Sequence, residues 1–396
     1  MAETPAQLRR RLHMAQPKCY VCKQRMPRTH HEYALLCPVC GELNALKRRQ
    51  TADLRGRVAV VTGVRIGIGH AVALKLLRDG ASVIGTSRFP HDAAHRFATQ
   101  PDFEVWGSRL SILGLDLIDT RAVKRFADHA VANWPSLDIL VNNAAQTIHR
   151  PAAFYRHLQG EEQKSVEELP SGIRPIVENA YGWLGNAILE ASQRRELPSI
   201  SGVPQALLET AETGDIPIDH FPAGQLTADG QQQDLRAVNS WSLRDEDIPL
   251  DEMLTVHAVN AIAPSVLCSG LKRLMRSSSQ SDRFIVNVSS MEGIFNDGDK
   301  SGRHPHTNMA KAALNMFTAT VAGDYRRDRI WINCVDPGWV SFQHAHPAQE
   351  AMRERGDPPL SMEDAAARIC DPVYLAINGE RPIFGRMLKD YRVISW

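Results

Sequence analysis

No window of this 396-residue chain strings together the roughly 18 apolar residues that a membrane-crossing helix needs, although 43% of its residues are hydrophobic. The basic N-terminal stretch also lacks the apolar run of a signal peptide. These absences lead to the expectation of a cytoplasmic protein with no membrane partner. Cysteine is scarce outside one short stretch: of seven, four lie within residues 19–40, and Cys268, Cys334 and Cys370 stand singly. That distribution argues against a disulfide framework and for metal thiolates. Net charge is nearly absent too, at +1, but the total conceals two opposed segments. Residues 1–50 hold ten basic and three acidic residues, and residues 151–250 hold seven basic and sixteen acidic. The segments can attract each other, meet differently charged partners, or be plain solvated surfaces. The length suffices for one large core plus a satellite.

What is present begins with two Cys-x2-Cys knuckles, Cys19-Tyr-Val-Cys22 and Cys37-Pro-Val-Cys40, fourteen residues apart. A short β-hairpin can close that separation, and four thiolates then converge on one Zn²⁺, so a zinc ribbon is expected over residues 15–48. A disulfide or redox pair is the alternative. Four thiolates leave no open position for substrate, so the metal is expected to be structural. His30 and His31 lie between the knuckles and could replace a thiolate, though four cysteines already suffice. Arg9, Arg10, Arg11, Lys18, Lys23, Arg25, Arg28, Lys47, Arg48 and Arg49 surround the knuckles. They could contact a nucleic-acid partner or form a face that docks protein; only Tyr20 and Tyr33 are available there to stack on bases.

From Gly56 the pattern changes. Arg57-Val-Ala-Val-Val-Thr-Gly63 is a β-branched apolar run ending in glycine, as a buried parallel strand should be. Gly63-Val-Arg-Ile-Gly67-Ile-Gly69 then opens a helical pattern. Glycines there permit a tight turn and close backbone approach, and the helix N-terminus offers unpaired N–H groups to a pyrophosphate. Further strands are expected at Ala81–Thr86, Leu110–Asp116, Leu137–Asn143 and Phe284–Ser289, with helical stretches between them. Such alternation predicts right-handed crossovers and a parallel sheet with ligand at its carboxyl edge.

These residues resemble the short-chain dehydrogenase/reductase family. Thr62-Gly63-x3-Gly67-x-Gly69 is similar to its cofactor turn, Asp116 to its adenine contact, and Asn142-Asn143-Ala144-Ala145 to its Asn-Asn-Ala-Gly signature. Asn260 resembles its active-site asparagine, Ser289-Ser290 the end of its fifth strand, and Asp336-Pro337-Gly338 its nicotinamide-side loop. The resemblance implies an α/β, doubly wound parallel sheet of the Rossmann type over residues 54–396, and hydride transfer between NAD(P)(H) and a carbonyl or alcohol substrate. Cofactor contacts are implied at Thr62, Gly63, Arg65, Gly67, Ile68, Gly69, Asp116, Asn143, Ala144, Lys311, Pro337 and Gly338. It further implies a homo-oligomer paired through the helices that begin near Asp251 and Asn308. The second strand ends in Thr86-Ser87-Arg88 rather than in the acidic residue of an NAD site. Hydroxyls and a guanidinium suit a 2′-phosphate, so Ser87 and Arg88, with help from Arg65, favour NADP over NAD.

One family residue is missing. Where the family has its proton-transferring tyrosine, four residues before Lys311, this chain has Thr307, whose hydroxyl is far harder to ionise than a phenol. Ser290 is the expected carbonyl partner, Lys311 the ribose holder and Asn260 the anchor of a water relay. His304, or else His306, is the expected replacement proton source and would ionise near neutrality, although Pro305 can displace His304 from the helix. Two other readings remain open: a dinucleotide-binding module without turnover, and a zinc-ribbon adaptor for which the sheet is a platform. Residues 151–250 form an insertion within the larger domain, helical or irregular, with eight prolines. Lying after the fourth strand, it is expected as a lid over the active site, with a partner-binding or partly disordered surface as the alternative. Asn239-Ser-Trp241-Ser-Leu243 is expected to return the chain to the fold.

Overall fold

In the computed structural model the described residues are 16–177, 180–181, 218–227, 230–295, 300–354 and 357–396. Arg9, Arg10 and Arg11, the middle of the insertion, and half of the amphipathic stretch 176–184 lie outside them.

The described residues build an eight-stranded sheet ordered β3-β2-β1-β4-β5-β6-β7-β8. The strands are β1 (Val58–Thr62), β2 (Ser82–Ser87), β3 (Leu110–Gly114), β4 (Ile139–Asn142), β5 (Arg283–Val288), β6 (Ile330–Val335), β7 (Met387–Lys389) and β8 (Arg392–Ile394). All pairings are parallel except the last, β7 with β8. The order reverses between β1 and β4, which opens a crevice at their carboxyl ends. Val60, Val61, Leu140 and Val141 are buried, as the unbroken apolar runs of doubly covered strands require.

The main helices are α1 (Pro38–Arg49), α2 (Gly67–Arg78), α3 (Pro90–Ala98), α4 (Thr120–Asn133), α5 (Arg156–Glu162), α6 (Leu250–Arg276), α7 (Pro305–Arg327) and α8 (Met362–Ile377). One face of the sheet is closed by α2 and α8, where Val72, Leu76 and Leu77 meet Ile369, Val373 and Tyr374. The other is closed by α4 and α6, where Val123, Phe126 and Ala127 meet Leu267, Leu271 and Leu274. Each of the valine, leucine, isoleucine and phenylalanine side chains contributes about 1.5–3 kcal/mol by leaving water. Helix α6 is long and apolar enough to cross a membrane by length and composition, but half of that stretch is buried in this packing, as in a core helix. A π-turn at Ala258–Ile262 interrupts it.

The cysteine module brings the two knuckles together through one bridge and one helix start. A bridge between Lys18 and Arg25 closes the first knuckle, but the second knuckle is the start of α1, with Cys37 as its N-cap and Pro38 in its first turn. Proline is favoured there because its missing N–H has no partner to lose. The module has its own small core: Cys19, Met26, Tyr33, Leu36 and Ala45 pack with Val340, Leu360 and Ala365 of the sheet domain.

The described residues of the insertion form two arms, and Tyr155, Gln231 and Trp241 from them reach the crevice. The first arm runs along the β3 edge: Gly114 N–H donates to Ala180 O (2.7 Å), and the Glu162 carboxylate accepts from the N–H groups of His91 and Asp92 at the start of α3. Those N–H groups have no partner within the helix, so an external carboxylate fits them by both hydrogen bonding and the helix dipole. The returning arm crosses to the other side, where Ser240 Oγ accepts from His149 N–H (2.8 Å) and Trp241 stacks on His304, with ring centroids 3.9 Å apart.

Candidate active site

The turn after β1 decides how closely a ligand can approach the sheet. Gly63 and Gly67 take φ of +74° and +62°, a region that favours glycine, and a Cβ on Gly69 would fall 2.2 Å from Gly63 O and 2.4 Å from Asn143 Nδ2. The neighbouring turn after β4 is tied to it, because Thr62 Oγ1 accepts from the N–H groups of both Asn143 and Ala144 at 3.0 Å. Thr62 therefore braces the two turns and does not itself reach the crevice.

The crevice is a cavity of about 790 Å³ that continues from the end of β2 past the glycine turn to α7. At one end are Ser87, Arg88, Arg65 and Asp116. Arg65 is paired with Asp92 at 3.1 Å, whereas Arg88 donates to Tyr155 Oη at 2.7 Å and stacks on the Tyr155 ring at 4.7 Å. Gly63, Gly67, Ile68, Gly69, Asn143 and Ala144 form the middle wall. At the far end stand Ser290, Thr307, Lys311, Pro337 and Gly338.

The two adjacent serines have separate duties. Ser289 Oγ is buried and donates to Asn315 Oδ1 (2.6 Å), whereas Ser290 is half-buried on the cavity wall and its Oγ accepts the Glu292 N–H at 3.3 Å. Lys311 is buried, its Nζ donates to Val288 O (2.8 Å), and desolvation brings its pKa down to about 8 against the pull of Cys334 and Asp336. Thr307 lies one turn earlier, so helical spacing puts both on one face of α7. Its buried Oγ1 has no hydrogen-bond partner among the described residues. Asn260, in the π-turn of α6, accepts from Gln146 N–H (2.7 Å) and donates to Gln146 O (2.8 Å), fixing the chain after β4 from behind.

His304 and His306 are not on this wall. Pro305 occupies the first turn of α7 and leaves His304 as its N-cap, at φ +41°. There Trp241 covers the ring, and Nδ1 is 3.1 Å from Asn308 Oδ1 and 3.9 Å from Glu292 Oε2. Burial lowers the pKa of His304, so an ionisation near neutrality is not what its surroundings favour. His306 is fully buried, 3.3 Å from Glu252. Two phenols do line the cavity, Tyr20 and Tyr155, and both are engaged: Tyr20 Oη accepts from Trp339 N–H (2.8 Å) and Tyr155 Oη from Arg88. Tyr20, Tyr155, Trp241 and Glu292 were absent from the sequence-derived site. Only the position of Tyr20 inside a knuckle and of Trp241 in a polar return segment set them apart in the sequence.

The four cysteines form a second centre. Their sulfurs lie within 4.8 Å of one another, with Cys22 and Cys37 3.9 Å apart. Four Zn–S bonds of about 2.3 Å in a tetrahedron place sulfurs about 3.8 Å apart, so the donor set fits one such ion. Cys37 N–H points at Cys19 Sγ (3.3 Å). Burial would raise the Cys19 pKa, but N–H donors from Cys37, Cys22 and Val21 bring it down to about 7, favouring the thiolate.

Two family models match this chain in order, "short chain dehydrogenase" over residues 57–166 and "Enoyl-(Acyl carrier protein) reductase" over residues 237–359. The chain belongs to the short-chain dehydrogenase/reductase family. Residues 167–236 of the insertion lie between the two matches. An uncharacterized protein of Acanthamoeba polyphaga mimivirus is 29% identical over 367 residues, covering 90% of this chain and 71% of that protein. A 2-dehydro-3-deoxy-D-gluconate 5-dehydrogenase of Pseudoalteromonas atlantica is 36% identical over 101 residues, 26% of this chain and 39% of that one. In fold, the chain is similar to an NADPH-bound carbonyl reductase from chicken fatty liver (TM-score 0.52, 18% identity), covering 87% of this chain and 100% of the other. It is also similar to a Burkholderia cenocepacia short-chain dehydrogenase in complex with NADP (TM-score 0.52, 21% identity), covering 85% and 97%. Short-chain dehydrogenases/reductases are oxidoreductases, and this chain carries their sheet order, crevice and glycine turn.

Proposed function

We propose that this chain is an NADP(H)-dependent oxidoreductase that interconverts a carbonyl and an alcohol in a small-molecule substrate. One observation carries the reading: Arg88, the glycine turn, Ser290 and Lys311 wall a single continuous cavity, so a dinucleotide anchored at one end presents its other end to the polar groups. Arg88 is the partner for the 2′-phosphate, and no acidic side chain directly follows β2 to repel it.

When bound, NADPH supplies the hydride. Ser290 Oγ donates to the carbonyl oxygen, Asn260 keeps the chain after β4 in place, and Lys311 holds the nicotinamide ribose. The oxygen must also gain a proton. Thr307 cannot supply it unaided, since an aliphatic hydroxyl can pass a proton on but cannot be left ionised at neutral pH. Lys311, with a pKa near 8, is the acid on the same helical face, so Thr307 relays a proton that Lys311 replaces. His304 could add to this relay only through Glu292, the wall residue that lies between it and the cavity. In the Cys19, Cys22, Cys37 and Cys40 site, zinc would be structural, closed to substrate by its four thiolates.

A second copy of the chain is the proposed partner. Leu250, Leu254 and Ile262 of α6 and Met309 and Met316 of α7 are large apolar side chains left exposed, 42–66% each, which supports pairing through these two helices. The test of function is turnover. Purified protein, NADPH and a panel of aldehydes and ketones should give NADPH oxidation that Lys311→Ala abolishes. Tight NADPH binding with no turnover on any member of the panel would favour a dinucleotide-binding module instead.

A further inference from the structure

The cysteine module is not explained by the chemistry of the cavity, yet one of its side chains reaches into it. Tyr20 sits between Cys19 and Cys22, and its Oη accepts from Trp339 N–H at 2.8 Å. Trp339 directly follows Asp336-Pro337-Gly338, the loop that leaves β6 beside Ser290. That loop is held from the other side by Asp336, whose carboxylate accepts from Gly338 N–H (2.6 Å) and from Met291 N–H (3.0 Å). A continuous hydrogen-bonded path therefore runs from the first knuckle through Trp339, Gly338 and Asp336 to the residue after Ser290.

The module can pull on this path because it is firmly seated. Tyr33 Oη donates to buried Asp364 Oδ1 (2.6 Å), Lys47 pairs with Asp371 (2.6 Å), and Asn44 Oδ1 accepts from buried Arg368 (2.6 Å), all three partners on α8. Leu360 and Val340, on either side of the loop, share the module's apolar core with Cys19 and Leu36. Gly338 has φ +83°, and a Cβ there would fall 2.5 Å from Leu360 Cδ1 and 3.6 Å from Tyr20 Oη, so the loop runs close against the module and the segment before α8.

We propose that the four-cysteine module is a clamp on the cofactor-side loop, with Tyr20 as the positioning residue that couples metal binding to dinucleotide binding. The proposal rests on the reading of the cavity as an NADP(H) site. A metal held by Cys19 and Cys22 orders the knuckle, the knuckle orders Trp339 N–H, and the ordered loop presents Pro337 and Gly338 to the ligand. Coupling between two sites is reciprocal, so bound NADPH must also strengthen retention of the metal.

The experiment uses the full chain loaded with zinc, with NADPH binding followed by tryptophan fluorescence and zinc release followed with a colorimetric chelator. Tyr20→Phe removes only the acceptor of Trp339 N–H; it should keep its zinc and bind NADPH about tenfold more weakly. Leu46→Gln, on the exposed outer face of α1, should bind as the wild type does. Saturating NADPH should slow zinc extraction from the wild-type chain, whereas the same concentration of inorganic pyrophosphate should not. Wild-type affinity in a zinc-loaded Tyr20→Phe chain, or zinc release indifferent to NADPH, overturns the clamp. Should Tyr20→Phe fail to fold, the wild-type zinc-release comparison decides alone. A wild-type chain that does not bind NADPH refutes the cavity assignment itself, a result distinct from intact binding that Tyr20→Phe leaves untouched.

Discussion

On the proposed NADP(H) reading, replacing Arg88 with alanine should separate the two nicotinamide cofactors. The guanidinium stands at the end of β2 on the cavity wall, stacked against Tyr155 and within 5.5 Å of the Phe89 ring centre, and it donates one hydrogen bond, to Tyr155 Oη. Arg65, the other arginine at this end, is already paired with Asp92. Arg88 therefore carries most of the charge available to a 2′-phosphate. A hydrogen bond to a charged group contributes about 1.5–3 kcal/mol, or roughly 10- to 150-fold in affinity. Solvent at this exposed position screens the interaction, and the bond to Tyr155 must be shared or given up, so the lower part of that range applies. The expected loss for NADPH is about 10- to 30-fold, with NADH affinity changed less than about twofold. Fluorescence titration of both cofactors at two salt concentrations measures it, and the wild-type preference for NADPH should itself shrink as salt rises. An equal loss for both cofactors, or tighter NADH binding by the wild type, would refute the assignment of Arg88.

Three further outcomes are expected. Metal analysis should find one zinc per chain, and Cys37→Ser should lose it while α1 still starts there, since Cys37 makes no side-chain cap hydrogen bond and serine is a favoured N-cap; a Cys37→Ser chain that retains zinc would show that the four sulfurs are not one site. Lys311, lowered to about 8 by burial, is charged below that pH and neutral above it, so the reduction rate should fall as pH rises through about 8. Cys334 and Asp336 face the ammonium, and Lys311→Arg, which cannot lose its charge, should remove that limb; its persistence would assign the ionisation elsewhere. Between about 8 and the unfolded value of about 10.4 the unfolded chain holds more protons than the folded one, so stability itself should rise with pH there. Finally, Thr307→Tyr should raise turnover by restoring a phenol one turn before Lys311, whereas His304→Ala should leave the neutral-pH profile unchanged, because burial lowers the His304 pKa. Loss of a neutral limb in His304→Ala would reinstate the histidine as proton source.

Much of the sheet was legible because buried parallel strands announce themselves locally. Val58 to Thr62 and Ile139 to Asn142 are short apolar runs ended by turn residues, and each has only one way to be buried on both faces. The glycine turn was legible for a similar reason: positive φ at Gly63 and Gly67 and the contact at Gly69 exclude other side chains, so the constraint is written at the position that bears it. Lys311 and the absence of a tyrosine at Thr307 could be read off directly, since helical spacing relates them. The Cys-x2-Cys spacing brought two sulfurs together by itself, but the start of α1 at Cys37 depended on Pro38 and on packing against α8.

Residues that act through partners distant in the chain carried no such local mark. Tyr20 meets Trp339 across more than three hundred residues, and Arg88 meets Tyr155 only because the insertion folds along the β3 edge. His304 had the right spacing from Lys311, but spacing says nothing about Trp241, which arrives from the insertion and covers the ring. From sequence alone came the first five of the eight strands, the crevice at their carboxyl ends, the glycine turn and the set of four thiols, because backbone conformation and burial constrain residue type at each position. Tertiary structure alone decided which polar groups share the cavity, which arginine near the end of β2 is paired with a carboxylate, and that Tyr20 of the cysteine module meets the loop beside Ser290. Those outcomes depend on distances between elements, and chain order does not encode such distances at any single residue.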